Sequence, residues 1–179
     1  EDNWVAAAEW ADGLGVEIIS TSLSYIEWYT YEDMVGDTAP ITRAADIAAS
    51  RGIVVCTAAG NQGGTEWYYI GAPADADSIL AVGAVDAAGV LTEFSSHGPT
   101  ADGRIKPEVV ALGFRTRCAI PVESGGLFAR LSGTSMACPL VGGAAALLLE
   151  AHPGWSPMTV REALLSTADN AATPDNDRG

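Results

Sequence analysis

The sequence predicts an α/β fold with three layers, in which helices cover both faces of a mostly parallel, doubly wound β-sheet. Helix-like and strand-like segments alternate twice before residue 58, and such alternation is typical of parallel sheets with right-handed crossovers. The strand-like segments are continuous apolar runs, as expected for strands that are buried on both faces. A long apolar segment near residue 140 predicts a helix inside the domain.

The first half of the chain supplies two helices and two strands. Trp4, Ala7, Ala8 and Ala11 recur at helical spacing, and Gly15 follows as a helix-ending residue. The β-branched and apolar runs that follow each helix predict buried strands. The predicted elements are a helix over 4–14, a strand over 16–20, a helix over 41–50 and a strand over 53–58.

The second half predicts further strands over 78–85, 116–121 and 127–131, the long apolar helix, and a last helix that Ser156 and Pro157 begin and that ends near Thr167. The polar residues 171–179 are expected to form a frayed tail. The length of 179 residues suits one compact domain or a large part of one, so residues 1–179 are expected to belong to a single domain.

Residues 21–40 are expected to form a long surface loop, in which aromatic residues alternate with acidic ones. Carboxylates of this kind are calcium ligands, so a structural calcium ion is one interpretation. The D-x-[DN]-x-[DN]-G pattern of calcium loops is absent, however, and a solvated acidic loop is the commoner case. No metal ligand is assigned from the sequence.

Composition excludes several classes of protein. The net charge of −14 arises from 23 acidic and 9 basic residues, so nucleic acid is not an expected partner. No run of 18 apolar residues is long enough to span a membrane, because the apolar stretch 140–149 is too short. The three cysteines allow at most one disulfide and lack the spacing of a metal site; Cys56 and Cys138 are expected in the core.

Ser135 stands where a small polar loop leads into the apolar helix. Pro139 is expected in the first helical turn, and Gly133 can adopt a backbone conformation that other residues resist. The N-terminal end of a helix has unpaired N–H groups and a positive dipole, which favour negative charge beside the serine oxygen. The simpler interpretation is that this serine only caps the helix.

The longer motif favours a catalytic role for Ser135 over a role as a helix cap. The segment Gly133-Thr-Ser-Met-Ala-Cys-Pro139, followed by Val141-Gly-Gly-Ala-Ala-Ala146 and His152-Pro153, resembles the nucleophile segment of subtilisin-like serine proteases, the subtilases of the S8 type. It differs from the G-x-S-x-G elbow of α/β-hydrolases, because Ala137 stands where that motif requires glycine. The resemblance implies that Ser135 is the nucleophile of a serine endopeptidase.

Asn61 is the second candidate catalytic residue. Without further evidence, an Asn in a glycine-rich turn is most often there because its side chain and backbone favour the turn. The segment Ala58-Ala59-Gly60-Asn61 resembles the subtilisin segment whose asparagine is the side-chain donor of the oxyanion hole. A fixed neutral donor of this kind stabilises the negative charge of a tetrahedral intermediate.

The same resemblance implies a substrate-binding cleft for protein or peptide in extended conformation. Ser22, Leu23 and Ser24 match the segment that pairs with the substrate main chain, although Ser24 stands where glycine is common. Ala58, Ala59 and Gly60 would form the facing wall of the first pocket, and Gly71 its base. Because these residues are small, we expect a wide pocket that accepts a large apolar side chain immediately before the cleaved bond.

The segments that resemble the family do not include a catalytic base. A serine hydroxyl needs a base, and the base needs an orienting carboxylate. Neither His97 nor His152 lies in a segment that resembles the catalytic histidine of the family, whose chain order is aspartate, histidine, serine. We therefore expect residues 1–179 to be the later part of a longer peptidase domain, nearly inactive alone, with aspartate and histidine upstream.

Two other functions stay open at this point. A non-catalytic domain that has lost its base could keep the peptide cleft as a binding site. An esterase with a different triad would need a histidine near Ser135. The resemblance to the family also implies export from the cell, and it leaves the oligomeric state open.

Overall fold

The computed structural model describes all 179 residues, which form four α-helices, two short 3₁₀ turns and two β-sheets. The helices are α1 (Asp2–Gly13), α2 (Pro40–Ser50), α3 (Thr134–Ala151) and α4 (Pro157–Thr167). The strands are β1 (Ile18–Thr21), β2 (Val54–Ala58), β3 (Leu80–Val85), β4 (Val109–Leu112), β5 (Thr116–Ala119) and β6 (Phe128–Leu131).

Strands β1 to β4 form one parallel sheet in chain order, and β5 and β6 form a separate antiparallel hairpin. Successive side chains of β2 pack on opposite faces of the sheet, where they join two different hydrophobic cores. Cys56 packs with α3 and α4, whereas Val55 packs with α2. Helix α3 contacts all four strands of the parallel sheet. The three-layer α/β fold predicted from the sequence is thus confirmed.

Only the connection from β1 to β2 contains an α-helix. Irregular segments, 59–79 and 86–108, join β2 to β3 and β3 to β4. The first of these begins with the glycine-rich turn of Asn61, directly after β2. Because the strands are parallel, residues that follow β1 and β2 lie at the same edge of the sheet.

Helix α3 is buried on one side only, which corrects the expectation of a wholly buried helix. Ala137, Val141 and Ala145 face the core, whereas Leu140 is 47% and Leu147 is 68% exposed. At 18 residues and a mean hydropathy of 1.4, the helix is long and apolar enough to cross a membrane by length and composition alone. A core helix of a globular domain satisfies the same criterion, and α3 packs against the sheet.

The segment between β1 and α2 is more deeply buried than the surface loop predicted for residues 21–40. Met34 and Ala39 are fully buried and form a small core with Ile41 and Ala72, against which Tyr29 and Tyr31 pack. The segment includes a 3₁₀ turn over Tyr31–Asp33. Its apolar residues therefore anchor it, while several of its acidic side chains stay exposed.

The C-terminal residues 171–179 do not fray in this structure. The N–H of Gly98 donates to the carbonyl oxygen of Asn176 at 2.8 Å, and His97 Nδ1 lies 2.7 Å from an Asp177 carboxylate oxygen. The tail remains mostly exposed but is held against the loop that contains His97.

A buried ion network links the sheet to α4. Lys106, 1% exposed, donates to the carbonyl oxygen of Ala76 at 2.6 Å and to Glu108 Oε1 at 2.7 Å. Arg161 of α4 donates to the same Glu108 oxygen at 2.9 Å. Burial lowers the pKa of Lys106, an effect that the nearby carboxylate opposes.

The three cysteines are free thiols. Cys56 and Cys138 are fully buried, as the sequence predicted, and burial raises the pKa of Cys56 to about 12. Both residues therefore act as small core side chains rather than as thiolates.

Candidate active site

Ser135 is the second residue of α3, half-buried at the N-terminal end of the helix. Gly133 precedes the helix with φ of +149°, a conformation that glycine adopts at no steric cost. The first N–H groups of a helix have no partner within it, so they point outward from this end. The serine hydroxyl thus lies in a region that favours negative charge.

Asn61 lies next to the start of α3, and its amide orientation is fixed. The Oδ1 atom accepts hydrogen bonds from Thr134 N at 2.8 Å and from Thr134 Oγ1 at 3.1 Å. The Nδ2 group forms no hydrogen bond within the chain, and the residue is exposed, so this N–H₂ group is free to donate to a bound molecule.

Asn61 and Ser135 border the same small space. A Cβ atom placed on Gly133 would lie 3.5 Å from Asn61 Nδ2 and 3.7 Å from the backbone nitrogen of Ser135. Two N–H donors, one from a side chain and one from a helix end, therefore lie on one side of Gly133. This arrangement can stabilise an oxyanion that forms beside the serine.

Ser22 and Ser135 exchange hydrogen bonds across the edge of the sheet. Ser22 Oγ donates to the carbonyl oxygen of Ser135 at 2.9 Å, and Ser135 Oγ donates to the carbonyl oxygen of Ser22 at 3.3 Å. Pro139 explains the first bond. The sequence predicted Pro139 in the first turn of the helix, but it is the sixth residue of α3. Because proline has no N–H, the Ser135 carbonyl oxygen lacks the donor that residue i+4 of a helix normally supplies.

The remaining predicted site residues also lie together. Gly71 N donates to the carbonyl oxygen of Ala59 at 3.4 Å, and Gly60 N donates to Thr134 Oγ1 at 3.3 Å. Ser24 Oγ lies 3.1 Å from the position of a Cβ on Gly60 and 2.5 Å from that of a Cβ on Gly71. The structure thus gathers the residues singled out from the sequence, which are Ser22, Leu23, Ser24, Ala58, Ala59, Gly60, Asn61, Gly71 and Ser135.

Thr134 and Ser96 are the polar residues of this region that sequence reasoning did not assign. Thr134 orients the Asn61 amide, and Ser96 Oγ accepts the N–H of Gln62 at 3.0 Å beside the same turn. Thr134 was visible in the serine motif, since it directly precedes Ser135. Ser96 carried no comparable signal, because its place beside Gly60 depends on tertiary contacts.

Neither histidine is bonded to Ser135. His97 interacts with Asp177 and stacks on Tyr68 with ring centroids 4.2 Å apart. His152 stacks on Trp155 at 4.0 Å, at the far end of α3. Within this chain the Ser135 hydroxyl instead donates to a backbone carbonyl, which does not remove its proton as a general base would.

Ser135 does not line the most prominent cavity of the structure. The most prominent cavity, of about 600 Å³, lies elsewhere, between α4, the Lys106 network and the C-terminal residues. It contains neither Ser135 nor Asn61. No group of three or more His, Cys, Asp or Glu side chains is arranged to hold a metal ion.

Known proteins resemble the chain over almost its whole length. The model of the "Subtilase family" matches residues 1–179. Subtilisin of Bacillus pumilus is 39% identical over 168 residues, which are 93% of this chain and 54% of that protein. Subtilisin E of Bacillus subtilis (strain 168) is 38% identical over 168 residues, which are 93% of this chain and 39% of that protein.

Among solved structures, the prenylagaramide maturation protease PagA superposes with a TM-score of 0.77 at 30% identity. The alignment covers 97% of this chain and 60% of that one. The chain thus spans about half the length of the relatives that it matches.

Proposed function

Because the chain belongs to the subtilase family, we propose that it is the serine-bearing part of a serine endopeptidase that forms an acyl-enzyme on Ser135. The observation that carries this proposal is the pair of free donors, Asn61 Nδ2 and the backbone N–H of Ser135, on one side of Gly133. A helix that merely began at a serine would not need a side-chain amide held with its nitrogen free.

The proposed reaction uses these groups in order. Ser135 Oγ attacks the carbonyl carbon of the substrate while a base takes the hydroxyl proton, and the carbonyl oxygen becomes an oxyanion. Asn61 Nδ2 and the Ser135 backbone N–H donate to that oxygen. Collapse of the intermediate passes the proton to the leaving amine, and water then hydrolyses the ester on Ser135.

The cleft supports an extended protein or peptide substrate. No backbone hydrogen bond uses the N–H or C=O groups of Leu23 and Ser24. Leu23 is also 44% exposed. These free main-chain groups can pair with an extended peptide, which gives affinity that does not depend on side-chain identity.

We also propose that a larger domain completes this site and supplies the aspartate and histidine. The chain spans about half of its relatives, and α3 leaves Leu140 and Leu147 exposed along its outer face. Exposed apolar side chains on a core helix are a surface that further chain would cover. Residues 1–179 alone are then nearly inactive, since the serine lacks its base.

The alternative is a non-catalytic domain that binds peptides through the same cleft. The two histidines, both engaged away from Ser135, are the observation in its favour. The Nδ2 group of Asn61, which has no partner within the chain, favours the enzyme, because a binding cleft has no oxyanion to stabilise.

A fluorophosphonate probe applied to the full-length protein tests the proposal, because it reacts only with an activated serine. We expect labelling that is lost in Ser135→Ala and kept in Ser166→Ala, a matched change at an exposed serine of α4. Peptide binding without labelling would support the non-catalytic alternative. We further propose export of the full-length protein, which detection of the protein outside the cells would test.

A further inference from the structure

Three arginines lie together on the hairpin of β5 and β6. Arg117 and Arg130 occupy directly opposite positions of the two strands. Arg130 Nη1 donates to the carbonyl oxygen of Arg115 at 3.1 Å, so the third arginine is adjacent to this pair. The segment 113–132 thus contains three of the nine basic residues of the chain and only one carboxylate, Glu123, although the whole chain has 23 acidic residues.

The three arginines have no carboxylate partner. None of them forms a salt bridge, although four of the other basic residues do. All three are exposed. Like charges directly opposite each other on an antiparallel pair of strands destabilise it. A negatively charged group bound beside Arg117 and Arg130 would offset this repulsion, so the hairpin favours an anionic partner.

The arginine pair lies on the outer face of the hairpin. Successive side chains of a strand point to opposite faces, and the neighbouring Cys118 donates its thiol to Met136 Sδ of α3 at 3.2 Å. Arg117 and Arg130 therefore point away from α3. Phe128 shares their face, since the Arg117 guanidinium lies 4.5 Å from the centre of its ring, and it is 55% exposed. The outer face thus combines positive charge with an apolar ring.

The outer face of the hairpin is close to Ser135. Arg130 precedes Ser135 by five positions, which limits the distance between their Cα atoms to about 18 Å. Residues 22–24 follow β1 at one edge of the parallel sheet, whereas the hairpin follows β4 at the other edge. A substrate whose residues before the cut bond pair with 22–24 therefore extends toward the hairpin with its residues after that bond.

An acidic polypeptide segment fits this face better than nucleic acid does. The net charge of the chain is −14, so a long polyanion would be repelled by the surface beyond the hairpin. Charges more than about 8 Å apart are largely screened at physiological salt, so a short acidic segment interacts mainly with the arginines. Val122 and Leu127 near the turn are also exposed, and they can contact apolar side chains of the same segment.

We propose that the outer face of the hairpin, formed by Arg115, Arg117, Phe128 and Arg130, binds an acidic segment of the protein substrate that follows the cut bond. This inference rests on the proposed peptidase function. The enzyme then selects its substrates partly by carboxylates at a distance from the bond that it cuts.

The test uses two peptides that the full-length protein cuts at the same bond. One carries Glu at the third to sixth positions after that bond, and the other carries Gln at these positions. We expect kcat/KM to be about three- to tenfold higher for the Glu peptide at about 0.05 M NaCl, because several exposed ion pairs form. The ratio should approach one at about 0.5 M NaCl, since salt screens exposed charges.

Variants of the full-length protein test whether the hairpin causes this preference. The double variant Arg117→Gln, Arg130→Gln is expected to lose it, whereas Arg43→Gln, which removes an exposed arginine of α2, should keep it. Replacing both hairpin arginines by lysine keeps the charges and should keep part of the preference. Equal kcat/KM for the two peptides in the unchanged protein overturns the inference, as does a preference that the glutamine variant retains.

A mass that rises with concentration in light scattering and falls in the glutamine variant, without any preference between the peptides, would overturn the inference in favour of contact between copies of the chain. All of these results leave the proposed function intact, because the peptides are cut and Ser135 reacts with fluorophosphonate. Absence of cutting and labelling overturns the proposed function instead. Fluorescence anisotropy of dye-labelled Glu and Gln peptides with the same protein then shows whether the hairpin binds carboxylates.

Discussion

The Ser22 hydroxyl donates to the carbonyl oxygen of Ser135 at 2.9 Å and replaces the helical hydrogen bond that Pro139 cannot make. A side chain from the end of β1 therefore supports the first turn of α3, where the candidate nucleophile lies. Because a backbone N–H at position 139 could replace this hydrogen bond, its contribution to stability can be measured by mutation.

Ser22→Ala is expected to lower the free energy of unfolding by about 1 kcal/mol, because the Ser135 carbonyl loses its donor. In a Pro139→Ala background the new N–H can donate to that carbonyl, so the same change is expected to cost less. Urea unfolding of the four proteins in this cycle measures the coupling. Equal costs in both backgrounds would contradict the role assigned to Pro139.

Asn61→Ala in the full-length protein is expected to lower kcat by about 10²–10³-fold with little change in KM, a magnitude taken from subtilisin itself. The change also removes the Oδ1 acceptor of Thr134, so Asn61→Asp is the matched variant: it keeps an acceptor oxygen and lacks the donor. Steady-state kinetics on one peptide should show a kcat loss in both. A rise in KM at constant kcat would show that Asn61 only binds substrate.

Glu108→Ala is expected to destabilise the protein by about 3–5 kcal/mol, because it leaves the Lys106 ammonium buried without its counter-charge. The backbone N–H of Ala81 also loses its acceptor, Glu108 Oε2. Glu162→Ala, at an exposed position of α4, is the control and is expected to change stability by less than about 0.5 kcal/mol. Chemical denaturation compares the two, and similar small losses would exclude a structural role for the network.

Asp75 is fully buried, and burial raises its pKa even though Thr42 and Gly36 donate to the carboxylate. A carboxyl group with a raised pKa binds more protons in the folded than in the unfolded protein. Its contribution to stability is thus lost as pH rises above the ordinary value of 3.8 through the raised pKa.

Asp75→Asn is expected to reduce this loss, because its amide can accept from Gly36 and donate to Thr42 while carrying no charge. The difference in Tm between variant and unchanged protein should become more positive as pH rises through that window. Asp37→Asn removes one exposed negative charge and serves as the control. Parallel Tm curves for all three proteins would contradict the assignment.

Leu147→Ser on the exposed face of α3 is expected to have different effects in two contexts. In residues 1–179 alone the leucine is 68% exposed, so the change should reduce self-association and leave Tm nearly unaltered. In the full-length protein, where we propose that further chain covers this face, the same change should lower Tm. Light scattering measures the self-association and thermal unfolding measures the Tm. An unchanged Tm of Leu147→Ser in the full-length protein would show that the face stays uncovered.

The sequence was sufficient to predict the layers and the common edge of the sheet at which β1 and β2 end. Apolar runs after each helix predicted β1 and β2, and parallel strands bring their ends to one edge, so Ser22 and Asn61 had to lie near each other. Ser156 and Pro157 likewise predicted the start of α4, where Ser156 Oγ accepts the N–H of Thr159.

Other features depended on contacts that local patterns do not encode. The composition of α3 showed that it is apolar, but not which side the sheet covers. The tail looked polar and free because its partner, the loop at His97, is distant in sequence. Ser24 looked like a minor change from glycine, and the sequence did not show that its buried hydroxyl lies beside the Cβ positions of Gly60 and Gly71.

The order of elements along the chain also has a consequence for biosynthesis. Ser22 follows β1, Asn61 follows β2, and Ser135 is synthesised only with α3, which packs against all four strands of the parallel sheet. A ribosome that has made the sheet has therefore not yet made the candidate nucleophile. The site that we propose can therefore form only after α3 has been synthesised and has packed against the sheet.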